Sequence, residues 1–390
     1  MGLFNRKKAG DEGEAKKEKG SWRRPANTAF KQQRLKAWQP ILTPRTVLPT
    51  LFIIGVIFAP IGALLIWGSG LVTEMDFDYT DCELLDPQGA TDDLNSLKYT
   101  DLPSSKYLYK LSAADSNAPT STPQYAFMNI NTNPVGQQQQ CVLRFDVPVD
   151  VKPTVLLYYK LSNFYQNHRR YVKSLNQDQL RGKFVSASTL GSGDCKPLGS
   201  IDGKAIYPCG LIANSMFNDT FSNLTMATEN STTYLWSEKN IAWPGESKKY
   251  ATKPGYDPSQ ITPPPNWIKR FPSYNSSNLP NLKEDEHFQN WMRTAGLPTF
   301  TKLWGRNDDT TLQKAQWRIV INMNFPVRPY KGTKSIVIST VSWMGGKNPF
   351  LGWAYVAASG LLVLLGILGT IRHLVKPRKL GDMSLLSFNR

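Results

Sequence analysis

Two uninterrupted apolar runs bracket this chain. The first extends from Thr46 to Thr73 between Arg45 and Glu74, and the second from Asn348 to Ile371 between Lys347 and Arg372. About 20 apolar residues in helical form cross a hydrocarbon layer of roughly 30 Å, so each run predicts a membrane-crossing helix with length to spare for tilt. A cleaved signal peptide competes for the first run, but such segments lie within the first ~15–30 residues and have a shorter apolar centre. Here a polar stretch of 45 residues comes first. Pro49 and Pro60 predict kinks, which membrane helices tolerate because neighbouring groups re-satisfy the carbonyls freed by proline.

Between the runs the apolar period shortens to two, the signature of half-buried strands. In Cys141–Val147 the positions Cys141, Leu143, Phe145 and Val147 share one face, and further on Trp317, Ile319, Ile321, Met323 and Phe325 form a second inward set. Thr154–Leu161 and Ser335–Trp343 add two β-rich runs. One helix interrupts the pattern, with Phe288, Trp291, Met292 and Ala295 at i, i+3, i+4 and i+7 and a stop at Gly296 and Pro298. Lys253–Pro272 is too rich in proline for a central strand and reads as an extended surface connection. No internal repeat is present. The expected fold is an integral membrane protein in which two transmembrane helices flank a mainly β ectodomain, an antiparallel β-sandwich with short helical insertions.

Charge orients this arrangement. Of a net charge of +16, the first 45 residues carry +8 and the last 19 carry +4, leaving +4 for the 274 residues between the runs. Excess Lys and Arg beside membrane ends marks the cytosolic face. The expected layout is a cytosolic tail 1–45, a span 46–73, a lumenal or extracellular domain 74–347, a span 348–371 and a cytosolic tail 372–390. Basic tails of this kind serve topology and attraction to anionic lipid, so no nucleic acid is expected as partner. Met1–Lys19 has too few large apolar residues to offset the entropy of ordering and reads as disordered. Ser21–Arg45 differs: Asn27 or Thr28 is placed to cap a short helix ending before Pro40. Its aromatics either lie in the lipid interface or dock on a cytosolic partner.

All four cysteines, Cys82, Cys141, Cys195 and Cys209, fall between the spans, and an even number on an oxidising side reads as two disulfides. Three pairings are possible, and spacing favours Cys195 with Cys209 and Cys82 with Cys141. A zinc site is the alternative, without any Cys-x-x-Cys or histidine pair to support it. Glycosylation triplets at Asn218, Asn223, Asn230 and Asn275 lie in the same region. The three histidines, His168, His287 and His373, stand in unrelated contexts, and no phosphate-cradling loop, nucleophile elbow or zincin motif occurs. No catalytic residue, metal or cofactor is expected. The runs contain no ionisable residue, which argues against an ion path through this chain alone.

Four stretches carry a likeness. They are Arg24–Leu35 (Arg-Pro-Ala-Asn-Thr-Ala-Phe-Lys-Gln-Gln-Arg-Leu), Tyr158–Tyr171, Trp291–Trp304 and Ser342–Gly352. In this order, and with this two-span layout, the chain from about Arg23 to Pro377 resembles the cell-division-cycle-fifty/ligand-effect-modulator family. The resemblance implies a non-catalytic accessory β-subunit of a type-IV P-type ATPase, a flippase whose α-subunit holds the nucleotide site, the phosphorylated aspartate and the lipid path. It implies a heterodimer that meets membrane phospholipid only indirectly. It also implies a role in export of that ATPase from the endoplasmic reticulum and in its transport cycle, in the endoplasmic reticulum, Golgi, endosome or plasma membrane. Met1–Lys19 and the tail after Pro377 match no motif of the family.

Two stretches are candidate partner contacts. In the cytosolic segment these are Trp22, Arg23, Arg24, Phe30, Arg34 and Trp38, large anchors beside basic groups with no local core to join. In the ectodomain they are Asn163, Tyr165, Arg169 and Arg170, since planar Arg forks and Tyr rings are usual hot-spot residues. The competing reading of the second stretch is a structural corner with both arginines hydrogen-bonded to carbonyls. Two other function classes share parts of this layout, a two-span oligomeric channel and a cell-surface receptor or adhesion protein.

Overall fold

The computed structural model describes residues 27–36, 42–91, 93–113, 119–228, 232–343 and 345–377. In chain order the elements are α1 (Pro44–Gly70), β1 (Glu74–Asp78), β2 (Thr100–Asp101), β3 (Tyr107–Lys110), β4 (Gln124–Asn129), β5 (Gln139–Val147) and β6 (Val155–Leu161). Then come α2 (Arg169–Lys173), α3 (Gln177–Leu180), α4 (Ala187–Ser192), β7 (Ser200–Ile201), β8 (Lys204–Ile206), α5 (Leu211–Asn214), β9 (Thr220–Phe221), β10 (Leu224–Met226) and β11 (Thr233–Tyr234). The last are β12 (Ile261–Thr262), α6 (Glu286–Met292), β13 (Phe300–Asn307), β14 (Ala315–Asn322), β15 (Lys334–Thr340) and α7 (Phe350–Val375).

Both long helices are apolar enough to cross a membrane, and each is offset from the apolar run that announces it. α1 starts at Pro44, because proline suits the first helical turn, where its missing N–H has no partner to lose. Thr43 leads in, its carbonyl accepting the Val47 N–H at 2.9 Å. The helix continues through Pro49 and Pro60 and stops at Gly70, since Thr73 is drawn into the sheet: its N–H donates to Thr340 Oγ1 and its carbonyl accepts the Thr340 N–H, both at 2.9 Å. α7 starts only after Pro349, with Asn348 Oδ1 accepting the Phe350 N–H, and runs past Arg372 to Val375, ending before Pro377.

The chain divides into two compact units, Met1–Ile54 with Leu362–Arg390 and Gly55–Leu361. In the first, a Cβ on Gly366 would meet the Phe52 ring at 3.0 Å, and one on Gly369 would meet Leu48 at 2.6 Å. In the second, Gly62 and Gly352 bring helix backbones into contact: a Cβ on Gly62 would lie 2.9 Å from the Gly352 carbonyl oxygen. Ser359 Oγ donates to the Gly55 carbonyl at 2.7 Å. Small residues at such points permit the close approach on which membrane helix pairs depend.

The domain between the helices is built on two antiparallel sheets. One has the order β13-β6-β15-β1-β3, the other β11-β10-β14-β5-β4-β2 with β9 also on β14. They face each other through a shared core with several aromatic contacts, in which Phe77 lies 4.6 Å from Phe145 and Tyr159 stacks on Phe217 at 3.9 Å. Cys141, Leu143, Phe145 and Val147 are buried, as are Trp317, Ile319, Ile321, Met323 and Phe325. The outer face of β5 is covered too, since Val142 packs with Leu97, Ala126 and Met128 in a second small cluster.

Two expectations need correcting. The proline-rich stretch is not only a surface connection: Ile261–Thr262 forms a parallel pair with β8 in a third, small sheet. The helix expected to reach Ala295 ends at Met292, because the chain at Arg293 is already extended and Lys302 Nζ takes the carbonyls of Asn290 and Arg293.

Candidate partner-binding surfaces

The chain corner after β6 is fixed from within. Asn163 adopts φ +56°, and its Nδ2 donates to the Tyr330 carbonyl. Phe164 then turns inward among Tyr171, Trp291, Phe300, Phe325 and Tyr330, with ring centroids between 5.5 and 6.3 Å. Its N–H donates to the Pro298 carbonyl, Gln166 Oε1 accepts the Ala295 N–H and Asn167 Nδ2 donates to the Gly296 carbonyl. Burial pushes the Tyr171 hydroxyl up to about 12, and it shares a hydrogen bond with Ser215.

The outer side of this corner is free. Tyr165 is 57% exposed and Leu297, on the strap that Phe164 and Asn167 hold, is 70% exposed. Arg169 and Arg170 open α2 toward solvent, and among the described residues no hydrogen bond or ion pair engages either guanidinium. The inward-bonded reading of the two arginines is therefore overturned for their side chains, while Asn163 does serve the corner. His168 and Lys173 are exposed beside them. The result is a basic, partly apolar surface on a rigid support, suited to an acidic partner with an apolar anchor.

The N-terminal candidates divide differently. Trp22, Arg23, Arg24 and Trp38 lie outside the described residues. Residues 27–36 form one closed turn and no helix: Thr28 Oγ1 accepts the Lys31 N–H, yet Gln33 takes φ +54° and ends the turn. Phe30 is 76% exposed, and Arg34 Nη2 donates to Asn27 Oδ1.

Cys82 is bonded to Cys141 and Cys195 to Cys209, with Cα separations of 6.0 and 5.7 Å. Asn218, Asn223 and Asn275 are exposed, whereas Asn230 lies outside the described residues. Asn223 Oδ1 accepts the Trp236 N–H at 2.9 Å, which holds the side chain in one orientation.

Charged groups also enter the interior, and three of them, Asp219, Lys334 and Lys302, are marked by no local pattern in the sequence. Asp219 is fully buried: Oδ2 accepts from Lys334 Nζ at 2.8 Å and from the Tyr79 hydroxyl at 2.9 Å, and Oδ1 from the N–H groups of Asn324 and Phe325. The two partners lie 115 positions apart, so no local pattern marks them. Lys302 is the third, its ammonium held down to about 8 by burial and then by the nearby Arg293 charge. All three sit in structural roles and outline no reaction centre.

Two helices long and apolar enough to span a membrane, enclosing one disulfide-bonded β domain, define a two-span protein with a single large domain between its spans. The chain belongs to the LEM3 (ligand-effect modulator 3) family / CDC50 family, whose pattern it matches over residues 65–379. Among its relatives, the phospholipid-transporting ATPase accessory subunit CRF1 of Saccharomyces cerevisiae is 41% identical over all of this chain and 95% of its own length. The accessory subunit CDC50 of Chaetomium thermophilum is 40% identical over 94% of this chain and 91% of its own. Cell cycle control protein 50A of Bos taurus is 41% identical over 88% of each.

Proposed function

We propose that this chain is a non-catalytic accessory subunit of a phospholipid-transporting P-type ATPase, joined to the ATPase α-subunit as a heterodimer. The observation that carries this reading is similarity over 94–100% of this chain, and over 91–95% of the relatives, to proteins named as such subunits. Both termini are cytosolic on this reading, and the β domain lies on the lumenal or extracellular side, where its disulfides and sequons belong. ATP hydrolysis and lipid movement are then the partner's. The subunit acts through binding free energy: whatever it binds, it stabilises, and a preference for one state of the transport cycle shifts the cycle toward that state.

The exposed corner of Tyr165, Arg169, Arg170 and Leu297 meets lumenal loops of the α-subunit, while the segment from Trp22 to Trp38 docks on its cytosolic body. Lipid attraction is the rival for that segment, at roughly 1 kcal/mol per basic residue near an anionic surface. The readings separate on specificity: under protein docking both Phe30→Ala at unchanged charge and a scramble of the basic residues at constant composition alter turnover, whereas lipid attraction, set by total charge and apolar area, tolerates the scramble. Export of the ATPase from the endoplasmic reticulum depends on this subunit in the same reading. Purification of the tagged full chain from detergent, with identification of what accompanies it, tests the function. A large P-type ATPase in near-stoichiometric amount is expected, and its absence from every preparation contradicts the proposal.

A further inference from the structure

The short loop between β15 and α7 carries an exposed indole whose position is set by the sheet. β15 runs antiparallel to β1, from Ser335 opposite Asp78 to Ser339 opposite Glu74, so it travels back toward the end of α1. Thr340 is bonded to Thr73, as described above. Three residues further on stands Trp343, 69% exposed. A strand advances ~3.3 Å per residue, so Trp343 reaches up to about 10 Å beyond Thr340 in the direction of α1's last turns.

The far side of the loop is pinned at the same level. Lys347 Nζ donates to the carbonyls of Val72 at 2.8 Å and Leu111 at 2.7 Å. The tip is closed by two backbone hydrogen bonds, Ser342 N–H to Gly345 O at 3.0 Å and Gly345 N–H to Ser342 O at 2.9 Å. Gly345 holds φ +105°, where a side chain would strain the turn. Trp343 thus stands between two ties to the chain just after α1, Thr340 to Thr73 and Lys347 to Val72, and Trp67 and Leu71 at the α1 end and Phe350 and Trp353 at the α7 start are exposed as well. α1 has 27 residues, about 40 Å of helix at 1.5 Å each, which exceeds a hydrocarbon core of roughly 30 Å and leaves helix ends in the headgroup layer.

We infer that Trp343 is a third membrane anchor beside the two helices, seated in the interfacial layer of the leaflet next to the β domain. Indole suits this layer because its ring is apolar and its N–H finds polar headgroups. An anchor on the β domain's own chain, additional to the two helices, restrains how the domain stands on the bilayer. The inference rests on α1 and α7 crossing lipid.

Site-directed spin labelling of the full chain with its ATPase in nanodiscs tests it. The native cysteines are all in disulfides, so Trp343→Cys introduces this chain's one free thiol, and the unsubstituted complex supplies the partner's background. Gly346→Cys labels the same loop with Trp343 retained, and open space surrounds its Cβ. The expected result is that both labels collide more with oxygen, which concentrates in lipid, than with a water-soluble nickel chelate, shifting the ratio away from that at exposed Lys183→Cys. Nickel accessibility equal to that at Lys183→Cys puts the loop in water and overturns the inference. Shielding from both reagents puts it against protein and overturns it equally. Labels at Leu361, Leu364 and Leu365 report on α7 separately, and oxygen accessibility at none of them would remove the membrane reading itself.

Discussion

A protonated amine at Lys302 satisfies the end of α6, yet it does so at a cost in solvation. Its folded value of about 8 lies below the ordinary lysine value of 10.5. Between these limits the unfolded chain binds more protons than the folded one, so the Lys302 contribution to stability rises with pH from about 8 to 10.5. Below pH 8 both states hold the proton and the full penalty applies. The melting temperature of the native protein relative to Lys302→Met is expected to climb across that window, corresponding to up to about 3 kcal/mol. A constant difference would show that Lys302 does not titrate there. Asp219 has the opposite character, since its carboxylate is satisfied on both oxygens. Asp219→Asn keeps the Asn218 triplet but leaves Lys334 buried without its counter-charge, a change worth about 3–5 kcal/mol in broken buried pairs. Melting of Asp219→Asn against Asn218→Gln, which removes only the acceptor asparagine, should show a large loss in the first and little in the second. Neither group was legible beforehand, because the pairing depends on strands brought together across the whole domain. The inward faces of β5 and β14 were legible, because alternation records which side of a strand is buried.

At the scale of elements, the two long helices announce themselves through length and the absence of charge, but their ends do not. Backbone pairing of Thr73 with Thr340 shortens α1, and only the folded sheet supplies that partner. The contacts at Gly62 and Ser359 predict unequal consequences. Gly62→Val places a side chain where a Cβ already meets Val356 at 2.8 Å, and overpacking of this kind costs about 1–3 kcal/mol. Ser359→Ala removes one interhelical hydrogen bond, typically about 0.6 kcal/mol. Detergent melting should therefore drop clearly for the first and barely for the second, and an equal drop would mean that these helices do not pack through Gly62. The corner after β6 mixes polar and aromatic residues in sequence, and the structure divides it into an inner half built on Phe164 and an outer half that carries Arg169 and Arg170. Arg169→Ala with Arg170→Ala is expected to reduce recovery of the ATPase severalfold, while glycan maturation and protease resistance of the chain expressed alone remain native. If the lone chain misfolds as much as the complex dissociates, the arginines are structural. The short helix expected near Thr28 is a single turn instead, since a capping residue without a continuing apolar stripe nucleates a turn but does not extend it.

For the whole molecule, family and fold class were legible because four long motifs keep their order and the period of the apolar residues changes twice along the chain. The proposed contact surface was legible only as a list of residue types, since exposure is decided by tertiary packing. The central claim is that this chain contributes assembly and regulation to an ATPase and no chemistry of its own. Lipid-stimulated ATP hydrolysis measured in defined bilayers, for this chain alone, its partner alone and the assembled pair, tests that claim most directly. The account predicts no hydrolysis by the chain alone and turnover by the pair well above that of the partner alone. Hydrolysis by the purified chain, or full turnover by the partner without it, would contradict the account.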